Sequence, residues 1–336
     1  MRAWVLDEAE GSTVPRLGAI DDPSIGPWDV RVTLRASALN HVDLWVARGM
    51  PAPPSFPHVP GADGAGVVIE TGQAVDDLRI GTEVVIDPSV SCGRCTECLH
   101  GKVLFCPDFQ VLGEHRWGTH AEQVVLPRTN VVPKPPSLAW EEAGSFGLVL
   151  ASAVRMLRRA RLAPGERVLV VGVGGGSASA AFLAAIAGGA DVYASSRHED
   201  TQLWAMAQGA AGVFEPGDVD SVREATGGRG VDVVIDNVGT ATFGDSLEML
   251  ARGGRLVTNG STSGRTAELH LPTVFWRQLE VIGSSMNDHD EFVEAVRLVE
   301  DGLRVPIAAS FGFEDYPAAL EQLGPGGGVG KIVLRR

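Results

Sequence analysis

Tyrosine occurs only twice in this chain, at Tyr193 and Tyr316, and neither is expected near the N-terminal motif that carries the candidate chemistry. That scarcity argues against a tyrosine proton donor there. Cysteine occurs four times, always between positions 92 and 106. No thiol is therefore left for a disulfide or a thiolate site elsewhere. Basic residues are also short: 28 Lys and Arg against 42 Asp and Glu give a formal net charge of −14. Such a surface repels nucleic-acid phosphates and anionic lipid headgroups, so neither nucleic acid nor membrane is an expected partner. No run is long and apolar enough to span a bilayer, because Gly, Ser and Asp interrupt the best candidates. The N-terminal stretch MRAWVLDEAEG turns acidic too soon for a secretory signal, and a cytoplasmic protein is the expectation. With 336 residues, 44% hydrophobic and 21% charged, the chain has the composition of a soluble enzyme and the length for two domains.

What is present is organised around Val168 to Ala187, VLVVGVGGGSASAAFLAAIA. Val168 to Val171 is a short apolar run rich in β-branched residues, suited to a strand buried on both faces of a parallel sheet. Gly172, Gly174, Gly175 and Gly176 follow, and from Ser177 the composition turns to helix formers. Strand, glycine turn and helix are the setting in which a pyrophosphate meets free N–H groups and the positive end of a helix dipole. Alternating βα segments continue to about residue 260, with strands expected at Ala190–Ser195, Ala211–Phe214, Val231–Asp236 and Gly254–Gly260. This succession predicts a doubly wound parallel sheet. Asn237, Gly239, Asn259 and Gly260 then fall at the carboxyl edge, where ligands bind.

Upstream, many short strands punctuated by Gly and Pro predict a β-rich unit. Within it stand Cys92, Cys95, Cys98 and Cys106, spaced C-x2-C-x2-C-x7-C. Four thiolates this close suit one tetrahedral Zn²⁺ with Zn–S of ~2.3 Å, a closed shell that makes the metal structural. Paired disulfides are the alternative. His100 and His115 lie nearby and read as surface-loop residues.

The segments Leu39-Asn40-His41-Val42-Asp43-Leu44, Pro60 to Gly66, the cysteine quartet, Gly172 to Ala178 and Gly330-Lys331 together resemble the medium-chain dehydrogenase/reductase superfamily over nearly the whole chain. The resemblance implies an α/β protein with a GroES-like catalytic domain at residues 1–130, its zinc lobe at 90–110. A Rossmann domain would occupy 131–272, and a return segment at 273–336 would complete the catalytic domain. It also implies a homodimer or homotetramer, a small-molecule substrate, and cofactor contacts from Ser284, Ser285 and Lys331.

Departures from the family pattern shape the expected chemistry. Zinc alcohol dehydrogenases of the superfamily have Cys where this chain has Asn40, and His where it has Ala62. Their third ligand falls near Phe146-Gly147, and their hydroxyl proton relay at Val42. The resemblance therefore implies a retained structural zinc without a catalytic one. Lacking that Lewis acid, hydride transfer needs an acceptor already poor in electrons, as in the quinone oxidoreductase and enoyl reductase branch. Asn40 would bind the substrate oxygen or the nicotinamide ribose, His41 would donate a proton or touch phosphate, and Asp43 would orient its neighbours. The second strand of the dinucleotide fold ends at Ser196-Arg197, which favours the 2′-phosphate of NADPH; Glu199 would serve NADH if that strand ran longer. Two rivals stand beside this reading. One is a zinc alcohol dehydrogenase with a rearranged metal site drawn from His41, His58 or Asp63. The other is a non-catalytic NADPH-binding protein.

Overall fold

The computed structural model describes residues 1–7, 15–323 and 328–336. The chain divides into two compact units, one of Met1–Ala151, Met286–Gly327 and Lys331–Arg336, the other of Ser152–Ser285 and Gly328–Gly330.

The first unit contains β1 (Arg2–Val5), β2 (Arg16–Ala19), β3 (Asp29–Leu39), α1 (His41–Ala47), β4 (Asp63–Thr71), β5 (Glu83–Ile86), β6 (Ser89–Val90), α2 (Thr96–Leu99), β7 (Gln110–Val111), β8 (Gln123–Pro127), β9 (Val131–Pro133) and α3 (Trp140–Ala143). The division between units falls within α4 (Gly147–Arg159). The second unit holds β10 (Arg167–Val171), α5 (Gly176–Ala187), β11 (Asp191–Ser195), α6 (Glu199–Ala207), β12 (Gly212–Phe214), α7 (Val219–Ala225), β13 (Val231–Asp236), α8 (Phe243–Met249), β14 (Leu250–Thr258), α9 (Leu271–Arg277) and β15 (Glu280–Gly283). The chain then returns to the first unit with α10 (His289–Glu300), β16 (Ile307–Gly312), α11 (Tyr316–Leu323) and β17 (Lys331–Arg335).

Strand β3 organises the first unit. It pairs antiparallel with β4, β8 and β17, inside a sheet ordered β16-β17-β3-β4-β5-β9. Its inward residues Val30, Val32 and Leu34 are at most 2% exposed, as the period-two pattern requires. They pack with Val68, Val84, Ile86, Val124 and Leu126 into one core, each buried aliphatic side chain contributing about 1.5–3 kcal/mol. The second unit is a six-stranded parallel sheet ordered β12-β11-β10-β13-β14-β15, whose order reverses between β10 and β13. The expected α/β class, with a GroES-like unit and a doubly wound sheet, is the observed one. No helix among the described residues is long and apolar enough to cross a membrane.

Domain limits differ from the sequence reading. Residues 131–151 belong to the first unit because β9 pairs with β5. Residues 273–285 belong to the second, because β15 adds to β14 as the sixth parallel strand. Composition does not reveal which sheet a short strand joins. Helices α1, α9 and α11 were also not anticipated, each being only seven or eight residues long.

The return segment is tied to the first unit through Asp87, which is fully buried. Its Oδ1 accepts from Ser89 N and Asn287 Nδ2, both at 3.0 Å, and its Oδ2 lies 3.1 Å from His289 Nδ1. The Asp87 hydrogen bond raises the pKa of His289, while burial pushes up that of Asp87. A raised folded pKa gives stability that is full below the unfolded value, about 6.5 for His, and is lost as pH rises through the folded value. For Asp87 the same sign begins at a lower pH. In thermal melts, His289→Gln should therefore lower the midpoint most at or below about pH 6, with the gap to wild type closing as the pH is raised into the alkaline range. A gap that widens with pH would refute the assignment.

Candidate functional site

In the second unit, register gathers the expected cofactor residues. Val171 lies beside Ser195, and the same row continues through Asp236, Thr258 and Gly283. The residues that follow these strand ends are Gly172, Ser196, Asn237, Asn259 and Ser284. All five were singled out from sequence, and they form one carboxyl edge. Gly172 has φ +67°, a left-handed conformation that a side chain would resist. Gly175 precedes α5 as a cap without a side chain, leaving the first-turn N–H groups at Gly176 and Ser177 for an anion. Two buried polar atoms on this edge, Asn259 Oδ1 and Ser284 Oγ, have no hydrogen-bond partner among the described residues. Orphaned groups of this kind fit an amide-bearing ligand such as nicotinamide.

Ser196 is buried, its Oγ accepting from His198 N at 3.1 Å, and Arg197 is exposed beside it. Glu199 lies in the first turn of α6, so β11 does not run on to place it at the strand end. Asp236 shapes the next loop: its Oδ1 accepts from Val238 N and Gly239 N at 2.9 and 3.1 Å, and its Oδ2 from the hydroxyls of Thr242 and Ser246. Gly260 packs against Asn237, where a Cβ would approach Asn237 O to 2.6 Å. Ser285 is exposed.

In the first unit the sulfurs of Cys92, Cys95, Cys98 and Cys106 lie within 4.8 Å of one another. A tetrahedral ion with Zn–S of ~2.3 Å sets its sulfurs roughly 3.8 Å apart. Cys92 and Cys98 are at 3.9 Å. Cys106 Sγ accepts from Cys92 N and Asp108 N at 3.5 and 3.3 Å, the N–H environment of a bound thiolate. Backbone N–H groups of Arg94 and Cys95 lower the Cys92 thiol to about 6, whereas burial pushes Cys106 up to about 12. Zinc held here would deprotonate all four and close the lobe. Among the described residues this is the only group of three or more His, Cys, Asp or Glu with ligand atoms so clustered.

The N-terminal motif forms a buried polar cluster. Asn40 directly precedes α1, and its Nδ2 donates to Asp63 Oδ2 at 2.9 Å while its Oδ1 accepts from Lys331 Nζ. Lys331 Nζ also donates to Leu39 O at 2.7 Å and lies 3.0 Å from Asp63 Oδ2. Asp63 Oδ1 accepts from Leu148 N at 2.6 Å. Lys331, Asp63 and Asn40 are 3%, 0% and 7% exposed. The sequence reading assigned Lys331 a cofactor contact; the structure instead buries its ammonium among three protein acceptors, equal to the donors it has.

Asp43 is 1% exposed and braces the loops: Oδ2 accepts from Asn40 N at 2.7 Å and Oδ1 from Gly61 N at 3.0 Å. Gly61 has φ +105°, and a Cβ there would meet Thr119 and His120 at 2.7–2.8 Å. His120 Nε2 stands 3.6 Å from the same Asp43 oxygen, and its ring lies 4.8 Å from that of Tyr316. Tyr316 is therefore close to the motif, contrary to the sequence reading, but it is fully buried. Burial and the Asp43 charge raise its pKa well above the ordinary tyrosine range.

His41 is exposed at the first position of α1. Crowding of its ring by protein and then the Lys331 charge lower its pKa, so it is neutral near pH 7. His58 Nε2 lies 2.9 Å from the Gly113 carbonyl, which only accepts, so this nitrogen carries a proton and offers no lone pair. Ala62 is fully buried, and Phe146, 1% exposed, stacks on Phe292. Sequence reasoning missed the pairing of Asp63 with Lys331. It follows from two registers, Ile332 opposite Leu39 and Asp63 opposite Ala38, which no local pattern encodes.

The alcohol dehydrogenase GroES-like domain family matches residues 26–136, and the zinc-binding dehydrogenase family matches residues 176–301. The chain is 31% identical over 332 residues to the NAD-dependent alcohol dehydrogenase of Sulfolobus acidocaldarius, covering 95% of this chain and 96% of that protein. It is 27% identical over 358 residues to the crotonyl-CoA carboxylase/reductase of Cereibacter sphaeroides, covering 95% and 83%. A solved structure of an NAD-dependent alcohol dehydrogenase superposes with a TM-score of 0.96 at 39% identity, covering 100% of both chains.

Replacing the buried ligand, Cys106→Ser, should abolish bound zinc by elemental analysis. It should also lower the thermal midpoint by about 5–10 °C, roughly 3 kcal/mol for a chain of this size. Unchanged metal content would overturn the four-thiolate site.

Proposed function

The chain belongs to the medium-chain, zinc-containing alcohol dehydrogenase superfamily, and from that premise we propose that it is an NADPH-dependent reductase that passes hydride to an α,β-unsaturated carbonyl or a quinone without a catalytic zinc. The observation that carries this reading is the replacement of the metal shell. Asn40, Ala62 and Phe146 stand at the ligand positions, and the Asn40 carboxamide is already engaged by Lys331 and Asp63. An amide oxygen facing an ammonium is a poor ligand for a dication.

A bound reduced nicotinamide would supply the hydride and solvent the proton that such a reduction needs, and the negative charge that would develop on the acceptor oxygen is what this chain's residues have to stabilise. Asn40 is the donor to that oxygen. His41, neutral and exposed, passes the proton, and Asp43 holds the Asn40 and Gly61 backbones in place. Ser196 and Arg197 favour the 2′-phosphate of NADPH over NADH. Likeness to a crotonyl-CoA carboxylase/reductase supports an enoyl acceptor.

A steady-state screen with NADPH and NADH against enones, enoyl-CoA esters, quinones and simple aldehydes tests the proposal. Turnover of electron-poor acceptors and one zinc per chain are expected. Two zincs and turnover of simple alcohols would favour the rival dehydrogenase. Tight NADPH binding with no turnover would favour the non-catalytic reading. Arg197→Ala should raise the KM for NADPH about tenfold and leave that for NADH unchanged, the loss of one exposed charged contact.

We also propose a homodimer across β15. This strand is a sheet edge with Val281 41% exposed, and Leu271, Phe275 and Trp276 on the neighbouring α9 are 63%, 55% and 70% exposed. An open edge beside an apolar patch suits an identical edge related by a twofold axis. Val281→Lys with Trp276→Glu should halve the mass measured by light scattering; an unchanged mass would reject this interface.

A further inference from the structure

We propose that Lys331 is a positioning residue: its ammonium fixes the Asn40 carboxamide and polarises it as the donor to the acceptor oxygen, a built-in cation in place of a metal. The inference rests on the reading above, which makes Asn40 that donor.

An ammonium has three N–H bonds and no lone pair, and those of Lys331 point to Leu39 O, Asn40 Oδ1 and Asp63 Oδ2. An amide side chain can ordinarily be turned end for end, but here the choice is forced. Its oxygen must face the ammonium, and its nitrogen must face the Asp63 carboxylate, 2.9 Å away. One Nδ2–H then remains outside these bonds. A charge-assisted bond to the amide oxygen draws electron density from the nitrogen and strengthens that remaining N–H as a donor. Asp63 accepts from the other Nδ2–H and opposes this in part, but the same Oδ2 lies 3.0 Å from Lys331 Nζ and its partner oxygen accepts from Leu148 N at 2.6 Å, so its charge is shared away from the amide. Lys331, Asp63 and Asn40 are themselves almost closed to solvent, so the charge acts in a low dielectric. Nothing in this geometry leaves Lys331 an N–H for a phosphate.

The test compares Lys331→Met, Lys331→Arg, Asn40→Ala, the double variant Asn40→Ala/Lys331→Met, and the neutral pair Lys331→Met/Asp63→Asn. The neutral pair guards against misfolding, since it leaves no buried charge uncompensated. Kinetics are measured with NADPH over a series of enones graded in electron deficiency. Loss of Lys331 should cost about 10–100-fold in kcat, somewhat less than losing an oxyanion donor outright, with the KM for NADPH unchanged and the largest loss on the least activated enone. The Asn40→Ala/Lys331→Met variant should be no worse than Asn40→Ala, because Lys331 acts only through Asn40. Lys331→Arg, which keeps the charge, should recover part of the rate.

Multiplying losses, or a raised NADPH KM with intact kcat, would overturn the proposal. A second readout needs no substrate. In ¹⁵N-asparagine-labelled protein, the Asn40 Nδ2 and its protons should resonate downfield of ordinary asparagine amides and move back upfield in Lys331→Met; resonances that do not move refute the lysine's role. If wild type reduces no acceptor, the proposed function fails while this amide measurement still decides the inference.

Discussion

The contact between Lys331 and Asp63 is the constraint on which the first unit depends. It joins the first residue of β17 to the first residue of β4, with Asn40 of the intervening strand's end between them. Removing one partner of such a buried pair typically costs about 3–5 kcal/mol, because the other charge is stranded out of water. The pair therefore does two things at once. It ties the ends of three neighbouring strands together, and it fixes the orientation of the Asn40 amide. Asp43 performs the matching task on the backbone side, where its two oxygens hold Asn40 N and Gly61 N and thereby join α1 to the loop that carries Ala62.

The second unit works by a different rule. A parallel sheet in register brings successive strand ends to a common edge, and residues far apart in sequence become neighbours without any side-chain contact. That is why Gly172, Ser196, Asn237 and Asn259 are legible in the sequence: each falls at the end of an expected strand of the βα alternation, whereas Ser284 is reached only through the family resemblance. The cysteine quartet was legible for a similar reason, since its spacing is local and its chemistry is carried by a few turns of backbone.

The unread features are all long-range. Tyr316 is separated from His120 by most of the chain, and only the packing of α11 against the β-rich unit brings their rings together. Lys331 sits in a plain apolar strand, GKIVL, where a lysine ordinarily reads as a surface charge. Its burial depends on the pairing of β17 with β3, which is set by a match between two distant segments. Domain limits failed on the same account. Residues 273–285 read as the beginning of the return, but the pattern of apolar residues cannot distinguish the last strand of one sheet from the first of another.

The place of β17 has a further bearing on biosynthesis. Strands β3, β4, β5, β8 and β9 are all made early, yet β17 lies between β16 and β3, inside their sheet. The parallel sheet from β10 to β15 is continuous in the chain and can assemble as soon as those residues leave the ribosome, at ~5–20 residues per second. The β-rich unit must wait for residues 331–335. Its incomplete sheet would meanwhile present the β3 edge to the cell, and a nascent chain arrested in that interval is the form most in need of a chaperone.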